Sequence, residues 1–266
     1  DSRACCREPW AASVMTIALL ISVALLAGIF AGLTGAGGGL ILVPLLVFMG
    51  YSALESVATS NIAVMISAIS ATVMNSRDHD LPWRRILLLA LPALILAPVG
   101  AIIASRTPEI ALLIAFCALN IVNIYLLGKR SRLADTTDAT DVGNVATKVV
   151  AVGGAGGLLA GLFGVGGGLV MVPLQVQWLA TPIQAAARIS LAVIIFSSIG
   201  AIFGHGVAGD NALFWTTGLI LGIGGVVGAP IGARILSRIS QRTSTIIFQL
   251  TLVAVTISLL VKIFTH

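Results

Sequence analysis

The chain has 266 residues, of which 58% are hydrophobic and 9% charged, with a net charge of +5. A soluble domain carries about 25% charged residues, and a mean hydropathy of +1.08 excludes one here: this is an all-α polytopic membrane protein whose first partner is the lipid bilayer. The cations fall in short connections between apolar stretches, where they set orientation in a membrane, so the positive balance is no nucleic-acid footprint.

In chain order, residues 1–13 form a mixed, polar N-terminal tail. Apolar segments follow at 14–34, 38–50, 53–75, 86–104 and 109–127, making a first transmembrane unit over 14–127. The stretch 128–146 is the most polar of the chain and reads as a cytoplasmic linker. A second unit, 147–266, carries apolar segments at 147–164, 167–180, 184–204, 212–236 and 243–264. A membrane-spanning helix needs about 20 residues, so 38–50 and 167–180 are short. Residues 14–33 could pass for a signal peptide, but they run directly into the motif described next and read as a retained span.

The two units are copies. GIFAGLTGAGGGLILVPL, Gly28 to Leu45, recurs as GLLAGLFGVGGGLVMVPL, Gly157 to Leu174, with twelve of 18 positions identical at an offset of 129. Ser60, Ser67 and Asn75 match Ser190, Ser197 and His205 at an offset of 130, and Trp83, Pro98, Gly100 and Arg106 match Trp215, Pro230, Gly232 and Arg238 at 132. If the short segments re-enter, each unit has four spans and the copies are parallel. If they cross, each has five and the copies are inverted. Lys and Arg over the whole chain barely separate the two. In the second unit, Arg188, Arg234, Arg238 and Arg242 all become cytoplasmic only in the inverted case. The positive-inside rule therefore favours two inverted pseudo-symmetric repeats of five apolar segments, each with a glycine-broken short helix.

Glycine runs break helices. Irregular backbone at membrane depth is tolerated only where protein covers it or it lines a cavity. Matched breaks in two halves point to a transport site between repeats. Past each run the chain resumes as a helix start, whose first N–H groups have no internal partner and sit at the positive end of the helix dipole. Gly37, Gly38 and Gly39, with Gly166, Gly167 and Gly168, are therefore candidate anion-binding residues. Neither run is a phosphate loop, because no Lys follows, and Leu40 and Leu169 stand where a dinucleotide motif needs glycine. Pro44 and Pro173 close each motif and are expected to kink the short helices.

Polar groups inside spans are costly and therefore candidate contacts: Thr59, Ser60 and Asn61 near one span start, Arg188 and Ser190 near its counterpart. Histidine as a residue type ionises near neutrality, which makes His205 the candidate for proton coupling. Gly28-xxx-Gly32, Gly157-xxx-Gly161 and Gly224-xxx-Gly228-xxx-Gly232 are expected to let helices approach closely. No Asp or Glu lies deep in a span, which suits an anion better than a cation. No nucleophile–base pair, metal-ligand spacing or cofactor motif occurs, so no catalytic residues, metal or cofactor are expected; the three cysteines make no framework.

The stretches AGLTGAGGGLILVP (Ala31–Pro44) and AGLFGVGGGLVMVP (Ala160–Pro173), the first followed by Ala58-Thr59-Ser60, resemble the sulfite exporter TauE/SafE family of permeases. The likeness runs from Ile17 to Phe264. It implies a multi-pass permease of the cell membrane that moves sulfite, organosulfonates or related sulfur anions. The second half departs from the family pattern at Ala187-Arg188-Ile189-Ser190, which adds a cation. The leading expectation is export of such an anion. A proton-coupled transporter and a non-transporting membrane subunit are the alternatives.

Overall fold

The computed structural model describes residues 14–78, 80–131, 145–208, 213–236, 238–239 and 241–264. All regular structure among them is helical. The elements are α1 (Val14–Thr34), α2 (Gly39–Phe48), α3 (Ala53–Asp78), α4 (Trp83–Arg106), α5 (Glu109–Ser131), α6 (Val145–Phe163), α7 (Gly168–Trp178), α8 (Ile183–Val207), α9 (Trp215–Leu236) and α10 (Gln241–Phe264). Each corresponds to one apolar segment of the sequence. The tail 1–13 and most of the linker lie outside the described residues; α5 and α6 run into the linker from either side.

Among the described residues, five helices, α3, α4, α6, α8 and α9, are long and apolar enough to cross a bilayer. The short helices α2 and α7 have 10 and 11 residues, or roughly 15 Å against a hydrocarbon core of about 30 Å. Leu87, Leu91, Ile95, Val99 and Ile103 line an exposed face of α4, and Ile223, Val227, Ile231 and Ile235 one of α9. In water such faces would drive aggregation; here they meet lipid.

Glycine faces set the packing, as the sequence predicts. A methyl group on Gly228 would lie 2.2 Å from the Leu25 carbonyl oxygen, and one on Gly232 1.9 Å from that of Ile29. Gly157 and Gly161 stand equally close to the carbonyls of Ala93 and Ala97, at 2.1 and 2.0 Å. Only glycine allows α1 to lie on α9, and α6 on α4, at these distances.

The order of contacts gives helix direction. Ile21, Leu25 and Ile29 meet Gly224, Gly228 and Gly232, while Ile62 and Ile66 meet Gly218 and Gly222. Thus α1, α3 and α9 run the same way. Leu89, Ala93 and Ala97 meet Gly153, Gly157 and Gly161, and Leu94 and Pro98 meet Gly200 and Gly204, so α4, α6 and α8 are also co-directional. Because α1 and α3 point the same way, α2 must carry the chain back. Leu42 and Leu46 accordingly pack in one cluster with Leu20, Ala24 and Ala27 of α1.

The start of α3 uses up the nearby acids. Ser52 and Glu55 form a capping box, with the Ser52 N–H donating to Glu55 Oε2 at 2.8 Å and the Glu55 N–H to Ser52 Oγ at 3.3 Å. Glu109 Oε1 accepts from the Ala53 N–H at 2.8 Å. Both carboxylates are thereby held at a helix end, away from the helix breaks.

Candidate functional site

The two breaks meet. α1 ends where Gly35 turns to φ +67°, and α6 ends where Gly164 turns to φ +68°. A methyl group on Gly39 would sit 2.1 Å from the Gly164 carbonyl oxygen, and one on Gly168 2.2 Å from that of Gly35. The contact is reciprocal, each break resting on the other. Gly37 faces the Val165 carbonyl, and Gly166 lies between Val64 of α3 and Ile194 of α8. Gly37 at φ +82° and Gly166 at φ +73° adopt a conformation that L side chains resist. The breaks are not copies throughout: Gly38 is right-handed at φ −66°, while its counterpart Gly167 is left-handed at φ +78°.

Hydrogen bonding at this junction is lopsided. The Gly38 carbonyl accepts from Ile41 and Leu42, and the Gly167 carbonyl from Val170 and Met171. Ser60 Oγ donates to the Gly164 carbonyl at 2.8 Å, and Ser197 Oγ to that of Gly166 at 3.0 Å. Four break carbonyls, those of Gly38, Gly164, Gly166 and Gly167, are thus engaged; those of Gly35, Ala36, Gly37 and Val165 accept no bond among the described residues. Among the described residues, no acceptor takes the N–H of Gly37, Gly38, Gly39 or Leu40, nor that of Val165, Gly166, Gly167, Gly168 or Leu169. Two helix N-termini thus bring bare donors and positive dipole ends to one junction.

The Cβ faces of the break glycines are filled by backbone or packed side chains, with only Gly38 in relaxed contact, 3.5 Å from the Ala27 carbonyl. Glycine is needed for backbone-to-backbone approach, and the donors are its N–H groups. Pro44 and Pro173 are buried inside α2 and α7, where each deprives the carbonyl four residues earlier, Leu40 or Leu169, of its helical donor.

The other predicted residues divide. Ser60 touches the second break directly. Thr59 is buried and accepts the Phe214 N–H at 3.3 Å, so it joins α3 to the approach to α9. Asn61 Nδ2 donates to the Val57 carbonyl at 3.1 Å, while its buried Oδ1 has no partner. Ser190 is buried one helical turn from Ala187, which packs against Gly35, and it accepts from Gln175 Nε2 at 2.9 Å. Arg188 is half-buried on α8. His205 is buried at the far end of α8, eight residues beyond Ser197 and so about 12 Å along the helix from the junction.

Ser197 and Gln175 were missed as contacts. Ser197 was visible as the partner of Ser67. Gln175 could have been found at the motif offset of 129, which sets it against Leu46: a polar residue replacing an apolar one between otherwise like copies. Two further pairings occupy corresponding places in the halves. Tyr51 Oη and Thr217 Oγ1 are 3.1 Å apart, with the Tyr51 ring edge-on to Phe214. Arg85 Nη2 donates to Thr181 Oγ1 at 2.6 Å.

Comparison with known proteins agrees with this architecture. The profile of the family described as "Sulfite exporter TauE/SafE" matches residues 20–259. A probable membrane transporter protein of Methanocaldococcus jannaschii is 25% identical over 86% of this chain and 90% of its own length. One from Xylella fastidiosa is 26% identical over 87% and 90%, and one from Bacillus subtilis 24% over 91% and 96%. No solved structure matches the chain. With a family match spanning nearly all of the helical bundle, the chain belongs to the sulfite exporter TauE/SafE family and is a multi-pass membrane transporter rather than an enzyme.

Proposed function

We propose that this transporter exports a small anion, sulfite or an organosulfonate, held between its two halves by backbone N–H groups at the two helix breaks. The observation that carries the reading is the excess of donors at the junction: the N–H groups of residues 37–40 and 165–169 have no acceptor among the described residues, while the carbonyls of Gly38, Gly164, Gly166 and Gly167 are engaged. Helix N-termini with bare N–H groups bind oxyanions. Ser190 and Arg188 on α8 supply a hydroxyl and a charge, and the family's name supports a sulfur oxyanion. A negative cell interior drives an anion outward by about 2.3 kcal/mol per charge per 100 mV, so export needs no coupled ion. The proton-coupled alternative places its coupling group, His205, away from the junction and is not favoured.

The test is current in proteoliposomes challenged with sulfite, sulfoacetate, thiosulfate, sulfate and chloride, with and without a pH gradient. We expect a saturable current for sulfite or the sulfonate, with Arg188→Ala raising the half-saturating concentration roughly three- to tenfold. An unchanged value reduces Arg188 to an interfacial anchor. Absence of oxyanion transport in any format, including radiolabelled exchange, overturns the reading.

We also infer that the halves have opposite orientation, with the linker 128–146 cytoplasmic. Four residues separate α3 from α4, a reach of roughly 14 Å and too short to cross a bilayer, so α4 must run back. Yet α9, the counterpart of α4, runs with α3. This arrangement puts the Arg85–Thr181 end inside and the Tyr51–Thr217 end outside. In intact cells with the native cysteines replaced, Thr107→Cys should react with an impermeant maleimide while Trp178→Cys stays protected until the membrane is opened. The reverse pattern turns the protein over; equal reaction of both rejects inversion.

A further inference from the structure

Between the two halves, the polar seat at Gln175, like that at Asn61, has an apolar counterpart. In the first half the Ser60 hydroxyl is committed to the carbonyls of Val57 and Gly164, at 2.9 and 2.8 Å. Leu46 occupies the neighbouring motif position and is buried among apolar side chains. In the second half the matched serine, Ser190, accepts from Gln175 Nε2, and the Gln175 Oε1 is buried without a donor. Both side chains are 0% exposed. A buried amide oxygen left unmatched is costly in an apolar interior. Its partner Ser190 stands one turn from the Ala187–Gly35 contact, so the Gln175–Ser190 pair borders the junction whose bare N–H groups are donors for an anion. What Gln175 Oε1 lacks is a donor, and no group among the described residues supplies one.

We propose that Gln175 is a specificity-determining residue that accepts a hydrogen bond from the transported anion, so the preferred substrate is a monoanionic oxyanion carrying a hydroxyl or other donor. This rests on the anion reading above and deepens it. The breaks hold the charged oxygens; Gln175 reads the protonated or hydroxylated end. A substrate without a donor leaves the amide oxygen unmatched and binds less well. Buried polar sites discriminate strongly against analogues that lack the group they were built to pair. The seat lies to the α7–α8 side of the junction, because Leu46 cannot make the same bond.

The experiment compares two sulfonates of the same charge at fixed pH, 2-hydroxyethanesulfonate and ethanesulfonate, in proteoliposomes containing the full chain. Wild type should transport the hydroxylated anion with a half-saturating concentration roughly five- to tenfold lower. Gln175→Leu should erase the difference by weakening the hydroxylated anion alone. Leucine is what the first half carries at this position, and Gln175→Met, nearly equal in volume, provides a second variant should leucine fail to fold. A purely structural role for Gln175 would move both substrates together, and that result overturns the proposal. Equal transport of both sulfonates by wild type overturns it too while leaving the anion reading intact. If wild type moves neither sulfonate nor any oxyanion of the wider panel, the anion reading fails and this inference falls with it.

Discussion

Alanine at Gly39 or Gly168 is expected to remove most of the folded protein, while alanine at Gly38 leaves it folded. The three positions are adjacent or matched in the motif, and sequence alone gives them equal weight. The structure separates them. A methyl group at Gly39 or Gly168 would press to within 2.1 or 2.2 Å of a carbonyl oxygen of the opposite break. A backbone oxygen cannot rotate away as a side chain would, so the halves must part at the junction. Overpacking a core usually costs about 1–3 kcal/mol; here the displaced group is main chain on both sides, and about 3 kcal/mol or more is expected. Gly38 has right-handed φ and its nearest neighbour at 3.5 Å, so alanine fits. Size-exclusion profiles and thermal midpoints in detergent will read this directly. A wild-type midpoint for Gly39→Ala would mean that the breaks do not rest on each other. Gly167 is a poor probe of binding for the same reason, since its φ of +78° and a Gly156 carbonyl 2.1 Å away make any side chain a folding lesion.

Much of this architecture is legible in the sequence because a bilayer leaves few choices. Every backbone group must be satisfied within a helix, so apolar runs become helices with little competition from tertiary context. All ten segments appear where hydropathy puts them, and Gly224, Gly228 and Gly232 pack against α1 as their spacing predicts. Duplication supplied the rest: a break that occurs twice, at one offset, is hard to explain by chance composition.

The contacts across the junction of the two breaks were less legible. Ser60 was visible as a polar residue in a span, but its target, the Gly164 carbonyl, lies 104 residues away. Nothing local marks that distance. Which face a break glycine turns to its neighbour depends on two distant segments of the chain meeting, and no local pattern gives it. Gln175 was overlooked because glutamine at a short helix's end looks like an interfacial residue. Only its burial and its opposition to Leu46 reveal an exception between the copies. Arg85 was counted for topology, and its bond to Thr181 depends on how α4 meets the α7–α8 connection.

Replacing the Leu40 or Leu169 amide by an ester should weaken anion binding while sparing the fold. Side-chain substitution cannot remove a main-chain donor, but incorporation of the matching α-hydroxy acid can. The N–H groups of Leu40 and Leu169 donate to no protein acceptor among the described residues, so their loss breaks no internal bond. The Leu42 N–H, by contrast, donates to the Gly38 carbonyl at 3.0 Å. An ester at Leu42 should therefore lower the thermal midpoint, at a cost of about 1 kcal/mol. It should leave affinity nearly untouched in the protein that remains folded. Hydrogen bonds to a charged partner are worth about 1.5–3 kcal/mol, so an ester at Leu40 or Leu169 should raise the half-saturating concentration for the transported anion by roughly ten- to a hundredfold. All three esters weaken the preceding carbonyl alike, so the contrast isolates the donor. If the Leu40 and Leu169 esters transport with wild-type affinity, the bare N–H groups are a consequence of breaking the helices and the anion is held elsewhere. If only one ester has an effect, the anion sits against a single break, and an effect confined to Leu169 would favour the half that carries Gln175.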